Sequence, residues 1–156
     1  TLYSNRANLE RSVREADLVV GAVYLRGRRA PRLVSRAMVA SMQPGSVVVD
    51  VAVDQGGCIE TIRPTSHSDP TYVEEGVIHY GVTNMPGAVP RTSTFALTNV
   101  TFSFVERMAA LGIEAAVKSD PALHLGVNVW RGALTCDGVG ESLGLPVTSL
   151  DEILGR

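Results

Sequence analysis

The sequence predicts an α/β protein built on half of a doubly wound parallel sheet, and three observations carry that prediction. Residues 17–23 and 46–53 are short, valine-rich and almost wholly apolar, the pattern of strands covered on both faces of a parallel sheet. Stretches with apolar residues at helical spacing alternate with them. Each strand-like run then ends in turn chemistry. Strand, helix, strand, helix, strand in this order implies parallel strands joined by right-handed crossovers.

In chain order, residues 1–4 read as the end of a strand, and residues 5–16 as a polar helix with Leu9, Val13 and Ala16 on one side. After the strand at 17–23 and a loop at 26–30, Pro31 is placed to open a helix over 32–42, because a first-turn proline gives up no needed hydrogen bond. That helix carries Leu33, Val34, Ala37, Met38 and Val39 and stops before Pro44-Gly45. The strand at 46–53 ends on Asp54-Gln55-Gly56-Gly57, residues 58–72 form a polar loop, and a last strand covers 77–83. A long helix over 92–111 presents Phe95, Val100, Phe104, Met108 and Leu111 on one broad face, with Thr92 and Ser93 as capping hydroxyls and Gly112 as its stop.

The remaining chain has a different character. Asp120-Pro121 opens a short helical turn, residues 127–134 are extended, and 137–143 form a small helix. A further strand of the same sheet would be richer in valine than Gly126-Val-Asn-Val-Trp-Arg-Gly132. The expected division is therefore residues 1–88 as one domain and 89–156 as another, with the long helix leaving the first.

Composition excludes several classes of function. The 156 residues are 45% hydrophobic and 19% charged, enough for one ordinary core and a small second one. Net charge is -2, and the one dense basic run, Arg26, Arg28, Arg29 and Arg32, is too short and too poor in aromatics for a nucleic-acid surface. No apolar stretch approaches the ~20 residues that span a bilayer. Cys58 and Cys136 are far apart with no second sulfur nearby, which fits free thiols in a reducing, cytoplasmic compartment. His67 and His79 have no partner at metal-ligand spacing, so surface or loop positions are expected of both and no metal is expected.

Ligands of open parallel sheets bind beyond the carboxyl ends of the strands. Three such ends are marked: Val23-Tyr24, Asp54-Gln55-Gly56-Gly57, and Asn84-Met85-Pro86-Gly87. Asp54 directly after an apolar run serves either a turn or a ligand, and Asp followed by Gln-Gly-Gly is ordinary turn chemistry. Gly56 and Gly57 supply positive φ or a close backbone approach. Asn84 and Met85 offer an amide and a thioether suited to a flat amide-bearing ring, and core packing accounts for Met85 equally well.

These same segments resemble a known family. Val49-Asp-Val-Ala-Val-Asp-Gln-Gly-Gly-Cys58, Arg63-Pro-Thr-Ser-His-Ser-Asp-Pro-Thr-Tyr72 and Val82-Thr-Asn-Met-Pro-Gly-Ala-Val-Pro-Arg-Thr-Ser-Thr94 are similar to the alanine dehydrogenases, and the likeness includes Thr1-Leu-Tyr-Ser-Asn5 and Gly21-Ala22. It implies a Rossmann-type sheet followed by the C-terminal part of a substrate domain. It also implies a homohexamer with NAD as cofactor, and reversible oxidative deamination of L-alanine to pyruvate and ammonia. Carried residue by residue, Asp54 matches the catalytic aspartate beside the nicotinamide. Ser4 matches an adenosine-side contact, Val23 and Tyr24 the walls of the cofactor crevice, and Val51, Ala52 and Val53 the strand beneath the nicotinamide ribose. Arg63 matches a position near the cofactor, and Val82, Thr83, Asn84 and Met85 the segment against the nicotinamide. Tyr24 departs from the smaller aliphatic residue usual there.

The resemblance also implies parts that this chain does not contain. The glycine-rich turn, the acid that holds the adenosine ribose, the catalytic histidine, and the lysine and arginine for the substrate are all expected upstream of Thr1, so the isolated chain is expected to be inactive. Two alternatives stand beside the enzyme fragment: a non-catalytic assembly module of the same fold, and the hydride-transfer domain of a nucleotide transhydrogenase.

Overall fold

The computed structural model describes residues 1–155. These divide into two compact units, residues 1–25 with 29–88, and residues 26–28 with the chain from 89 onward.

The first unit is a four-stranded sheet in the order β1 (Leu18–Gly21), β2 (Val47–Asp50), β4 (Val77–Tyr80) and β3 (Thr71–Glu74). β1, β2 and β4 are parallel, as the valine runs predict, and β3 is antiparallel to β4. Register places Val19, Val48 and His79 side by side on one face. Against that face pack α1 (Arg6–Glu15), through Val13, and α2 (Arg36–Ala40), through Met38 and Val39. The other face carries Leu18, Val20, Val47, Val49 and Ile78, of which Leu18 and Val20 are each 56% exposed. The expectation of cover on both faces of β1 is thus corrected: in this chain both helices contribute to a single core on one side.

Local chemistry sets the element ends. Asn5 caps α1 by accepting from the Asn8 amide at 2.8 Å, and no strand precedes it at residues 1–4. The helix expected from Pro31 begins later and is shorter. Residues 31–34 stay extended because the Leu33 and Val34 amides both donate to the Cys58 carbonyl, at 2.8 and 3.1 Å. Ser35 then caps α2, and the Glu60 carboxylate accepts from the Arg36 amide at 2.7 Å. Long-range backbone pairing therefore outweighs the pre-organisation that proline offers.

Two further corrections concern strands. β2 stops at Asp50, and Val51–Val53 turn into a 3-10 helix at Val53–Gln55 instead of extending the strand. β4 ends at Tyr80, and the end of the expected loop with the two residues after it forms β3, joined to β4 by a two-residue turn at Glu75 (φ 53) and Gly76 (φ 75). Positive φ at both central positions matches the right-handed twist of the paired strands. His79, expected in a surface or loop position, is fully buried on the central face of β4. The reason is local satisfaction: Thr61 Oγ1 and the Val77 carbonyl bond its two ring nitrogens, and Tyr72 stacks on the ring.

The second unit is mainly helical: α3 (Pro90–Leu111), α4 (Ile113–Ser119), α5 (Pro121–Gly126), α6 (Asp137–Leu143) and α7 (Leu150–Leu154), with a small hairpin β5 (Val129–Trp130) and β6 (Ala133–Leu134). α3 starts earlier than the hydroxyl caps imply: Val89 holds the cap position, Pro90 the first turn, and Thr92 and Ser93 lie inside the helix. None of its 22 residues is buried, and of its apolar face only Phe104 and Met108 are half-buried. Gly112 (φ 80) ends it as expected. Asp120 caps α5, accepting from the Ala122 and Leu123 amides, and pairs with Arg107 of α3. Val117, Leu150 and Leu154 form a small core with Leu123, Val127 and Trp130 against it. Among the described residues no helix is long and apolar enough to cross a membrane.

Candidate active site

Because β1, β2 and β4 run parallel, the segments that follow them leave the sheet at one edge. Beyond β1 and β2 these segments enclose a cleft of about 140 Å³ lined by Ala22, Val23, Tyr24, Val51, Ala52, Asp54 and Gln55. Its walls are mostly aliphatic and aromatic, and Asp54 is the one charged group among them.

Asp50 shapes this cleft from beneath. A carboxylate inside an apolar strand must find donors or lose hydration without return. Here Oδ1 accepts from the Ala52 amide at 2.9 Å, and Oδ2 from the Cys58 and Ile59 amides at 2.7 and 3.0 Å. Those bonds pull the chain out of the extended conformation just where β2 would otherwise continue. The Ala52 carbonyl then accepts from the Gln55 and Gly57 amides, both at 2.9 Å, winding Asp54 into the 3-10 turn. Gly56 (φ 92) and Gly57 (φ 76) complete the turn in a conformation that side chains resist. A Cβ on Gly57 would also overlap Ile62 and lie 2.9 Å from Asp50 Oδ2.

The consequence is a sorting of the sequence-predicted residues. Val23, Tyr24, Val51, Ala52 and Asp54 are brought together in the cleft. Val53 is not: it is 5% exposed and belongs to the core beneath. Asp54 itself is exposed, and no hydrogen bond or ion pair among the described residues holds its carboxylate. Val82 is buried and bridged to Thr65, whereas Thr83 and Asn84 are exposed past the end of β4, on the same edge of the sheet but outside the cleft lining. Met85 opens the 3-10 turn Met85–Ala88, and the Asn84 carbonyl takes a 2.6 Å bond with His67 Nε2.

Arg63 and Ser4 lie elsewhere. The Arg63 guanidinium stacks 4.1 Å over the Tyr72 ring, and its amide donates to the Tyr72 hydroxyl at 2.8 Å. Ser4 lines a separate hollow of about 440 Å³ with Asn5, Arg6, Arg32 and Ser35, where α1 starts. Sequence reading passed over Asp50, and it noted Ala22 and Gln55 only as parts of the resembling or strand-end segments, with no role of their own. A charge in an otherwise apolar run was the available signal for Asp50.

Two titrating groups of the first unit are displaced. Burial, and then the neighbouring Asp50 charge, push the Cys58 thiol up, and burial pushes the Tyr72 hydroxyl up. Neither is poised as a nucleophile or base. Among the described residues no group of three or more His, Cys, Asp or Glu side chains is placed to hold a metal ion.

The sequence profile of the family described as "Alanine dehydrogenase/PNT, C-terminal domain" matches residues 1–137. An alanine dehydrogenase of Lysinibacillus sphaericus is 54% identical over 155 residues, which is 99% of this chain and 42% of that protein. One from Methanococcus maripaludis is 52% identical over 157 residues, covering 100% of this chain and again 42% of the relative. This chain therefore spans about two fifths of the length of these relatives. A solved L-alanine dehydrogenase superposes with TM-score 0.76 at 53% identity, over 91% of this chain and 39% of that one. A transhydrogenase from Sinorhizobium meliloti superposes less well, with TM-score 0.61 at 33% identity over 72% of this chain and 32% of that one.

Proposed function

Since this chain belongs to the alanine dehydrogenase/PNT C-terminal domain family, we propose that it supplies the nicotinamide-facing half of the NAD site of an NAD-dependent L-alanine dehydrogenase. The observation that carries this reading is the cleft at the ends of β1 and β2, with apolar walls and one unheld carboxylate, Asp54. A flat, amide-bearing aromatic ring suits such walls, because the backbone at Val23 and Ala52 lies at the sheet edge and the aliphatic side chains exclude water from one of its faces. NAD, when bound, supplies the hydride acceptor for oxidation at the amino-acid α-carbon.

The chain's own part is orientation and proton handling. Val23, Tyr24, Val51 and Ala52 position the ring, and Thr83 and Asn84 offer polar groups on the same edge. Asp54, exposed in the middle of the turn, accepts a hydrogen bond from, or orients, the group that moves protons as L-alanine becomes pyruvate and ammonia. Ser4 and Arg63, outside the cleft, suit the more distant parts of a dinucleotide. Residues 1–88 are then a partial NAD-binding domain, and residues 89–156 the long helix with the C-terminal part of the substrate domain. The family relationship favours a homohexamer, and two free cysteines suit a cytoplasmic location.

The test is alanine-dependent reduction of NAD by the full-length protein, which Asp54→Asn should lower by on the order of a hundredfold or more. The isolated 156 residues should show none, because the proposed reaction also needs the glycine-rich turn and the substrate-binding cations. Hydride exchange between two nucleotides without alanine would favour the transhydrogenase reading, which the lower identity and coverage of that relative already make the weaker one.

A further inference from the structure

We propose that Asp50 is a positioning residue for the reaction, acting through Asp54: its buried carboxylate clasps both ends of the segment that carries Asp54 and so sets where that side chain stands. This rests on the reading of Asp54 given above and adds a residue to it. The segment leaves the sheet at Val51 and returns to the core at Cys58, and one side chain closes it. Oδ1 holds the outgoing end through the Ala52 amide, and Oδ2 the returning end through the Cys58 and Ile59 amides. Ala52 in turn anchors the 3-10 turn with its carbonyl, so a single chain of hydrogen bonds runs from Asp50 to the backbone beside Asp54.

The surroundings leave this clasp little room to move. Asp50 is fully buried. A Cβ on Gly21 would lie 2.5 Å from Cys58 Sγ and 3.4 Å from Asp50 Oδ1, so only glycine admits the thiol and the carboxylate at the end of β1. The Cys58 thiol donates to Oδ1 across 3.6 Å, a further bond on the buried carboxylate. Above the clasp Asp54 is exposed and, among the described residues, has no side-chain partner to fix it. Its position depends on the backbone, and that backbone depends on Asp50. Misplacement of a reacting group by about 1 Å is enough to cost a hundredfold in rate.

Asp50→Asn is the discriminating variant. Both carboxylate oxygens are in use as acceptors, so either orientation of the amide turns an N–H against an N–H and loosens one end of the segment. In the full-length protein the variant should lower kcat by on the order of ten- to a hundredfold while the KM values for alanine and NAD stay within about twofold. Asp50→Asn combined with Asp54→Asn should be no slower than Asp54→Asn alone, since a residue acting only through Asp54 has nothing left to lose. A wild-type kcat for Asp50→Asn, or losses that multiply in the double variant, would overturn the proposal.

If Asp54→Asn is itself fully active, the reading of Asp54 falls and this proposal falls with it. If Asp54→Asn is slow and Asp50→Asn is not, only the positioning role falls. Hydrogen exchange on the unaltered protein needs no variant that folds: the Ala52, Cys58 and Ile59 amides should be protected as well as those of β2. Exchange as fast as that of open loop amides would refute the clasp.

Discussion

The Thr61 hydroxyl and the His79 ring meet 2.7 Å apart inside the first unit, at Oγ1 and Nε2. The ring's Nδ1 lies 2.9 Å from the Val77 carbonyl, which can only accept, so Nδ1 carries a hydrogen. Tyr72 stacks on the ring at 4.9 Å between centroids. An imidazole that makes both bonds in the core behaves as packing with polar ends. His79→Ala should therefore cost about 2–5 kcal/mol, from the cavity and from the partners left unpaired, as measured by urea denaturation. His67, exposed and holding one loop carbonyl, should cost far less on the same substitution.

The β3–β4 turn holds Glu75 at φ 53 beside Gly76. A left-handed conformation costs an ordinary residue about 1–2 kcal/mol and asparagine less. Against that stands the ion pair of Glu75 with Arg36 at 2.8 Å, which is surface-exposed and screened by solvent. Arg36 also keeps Glu74 at 2.6 Å. Glu75→Asn should accordingly raise thermal stability slightly, and Gly76→Ala should lower it. A lower melting temperature for Glu75→Asn would mean that the ion pair outweighs the turn.

Burial pushes the Cys58 thiol up, and the Asp50 carboxylate adds to the effect. A folded-state value above the unfolded one means that the fold favours the protonated thiol. The associated stability is fully present below the thiol's ordinary value and is lost as pH rises through the folded one. Chemical denaturation should show stability declining on the alkaline side, and Cys58→Ala should flatten that decline. At neutral pH a thiol reagent should modify half-exposed Cys136 in the native chain and reach Cys58 only on unfolding, a difference that peptide mass analysis reads directly.

In the second unit Asp120 both caps α5 and pairs with Arg107. Its side chain is 10% exposed and that of Arg107 is 49% exposed. Asp120→Ala strands two helix amides and should cost roughly 1–3 kcal/mol. Arg107→Ala leaves the cap intact and should cost about 1 kcal/mol or less. Guanidinium chloride would screen the pair, so urea is the denaturant to use; equal losses for the two variants would show the cap to be incidental.

Much of the fold was legible because its signals are local. Valine runs mark β1 and β2, Asn5 marks the start of α1, and Gly112 marks the end of α3, each through chemistry contained in a few neighbouring residues. α2 and β3 were misread for two different reasons. Residues 31–34 are held extended by the carbonyl of Cys58 and a bridge to Ile59, partners too far along the chain for periodicity to register. β3 pairs with β4 just across the Glu75-Gly76 turn, but its four residues are too few for alternation to stand out from the polar loop before them.

At the opening cleft the division between the two kinds of information is clear. Motif and composition by themselves determined the parallel α/β class, the family resemblance and the candidacy of Asp54, because residue type and spacing express those directly. Only the tertiary structure separated Val51 and Ala52, which line the cleft, from Val53, which lies in the core, and placed Ser4 and Arg63 outside it. It also ended β2 at Asp50, where a sequence reading continues the strand to Val53. The physical reason is that a carboxylate's role depends on which amides reach it. The donors to Asp50 include Cys58 and Ile59, residues that only folding brings to its side.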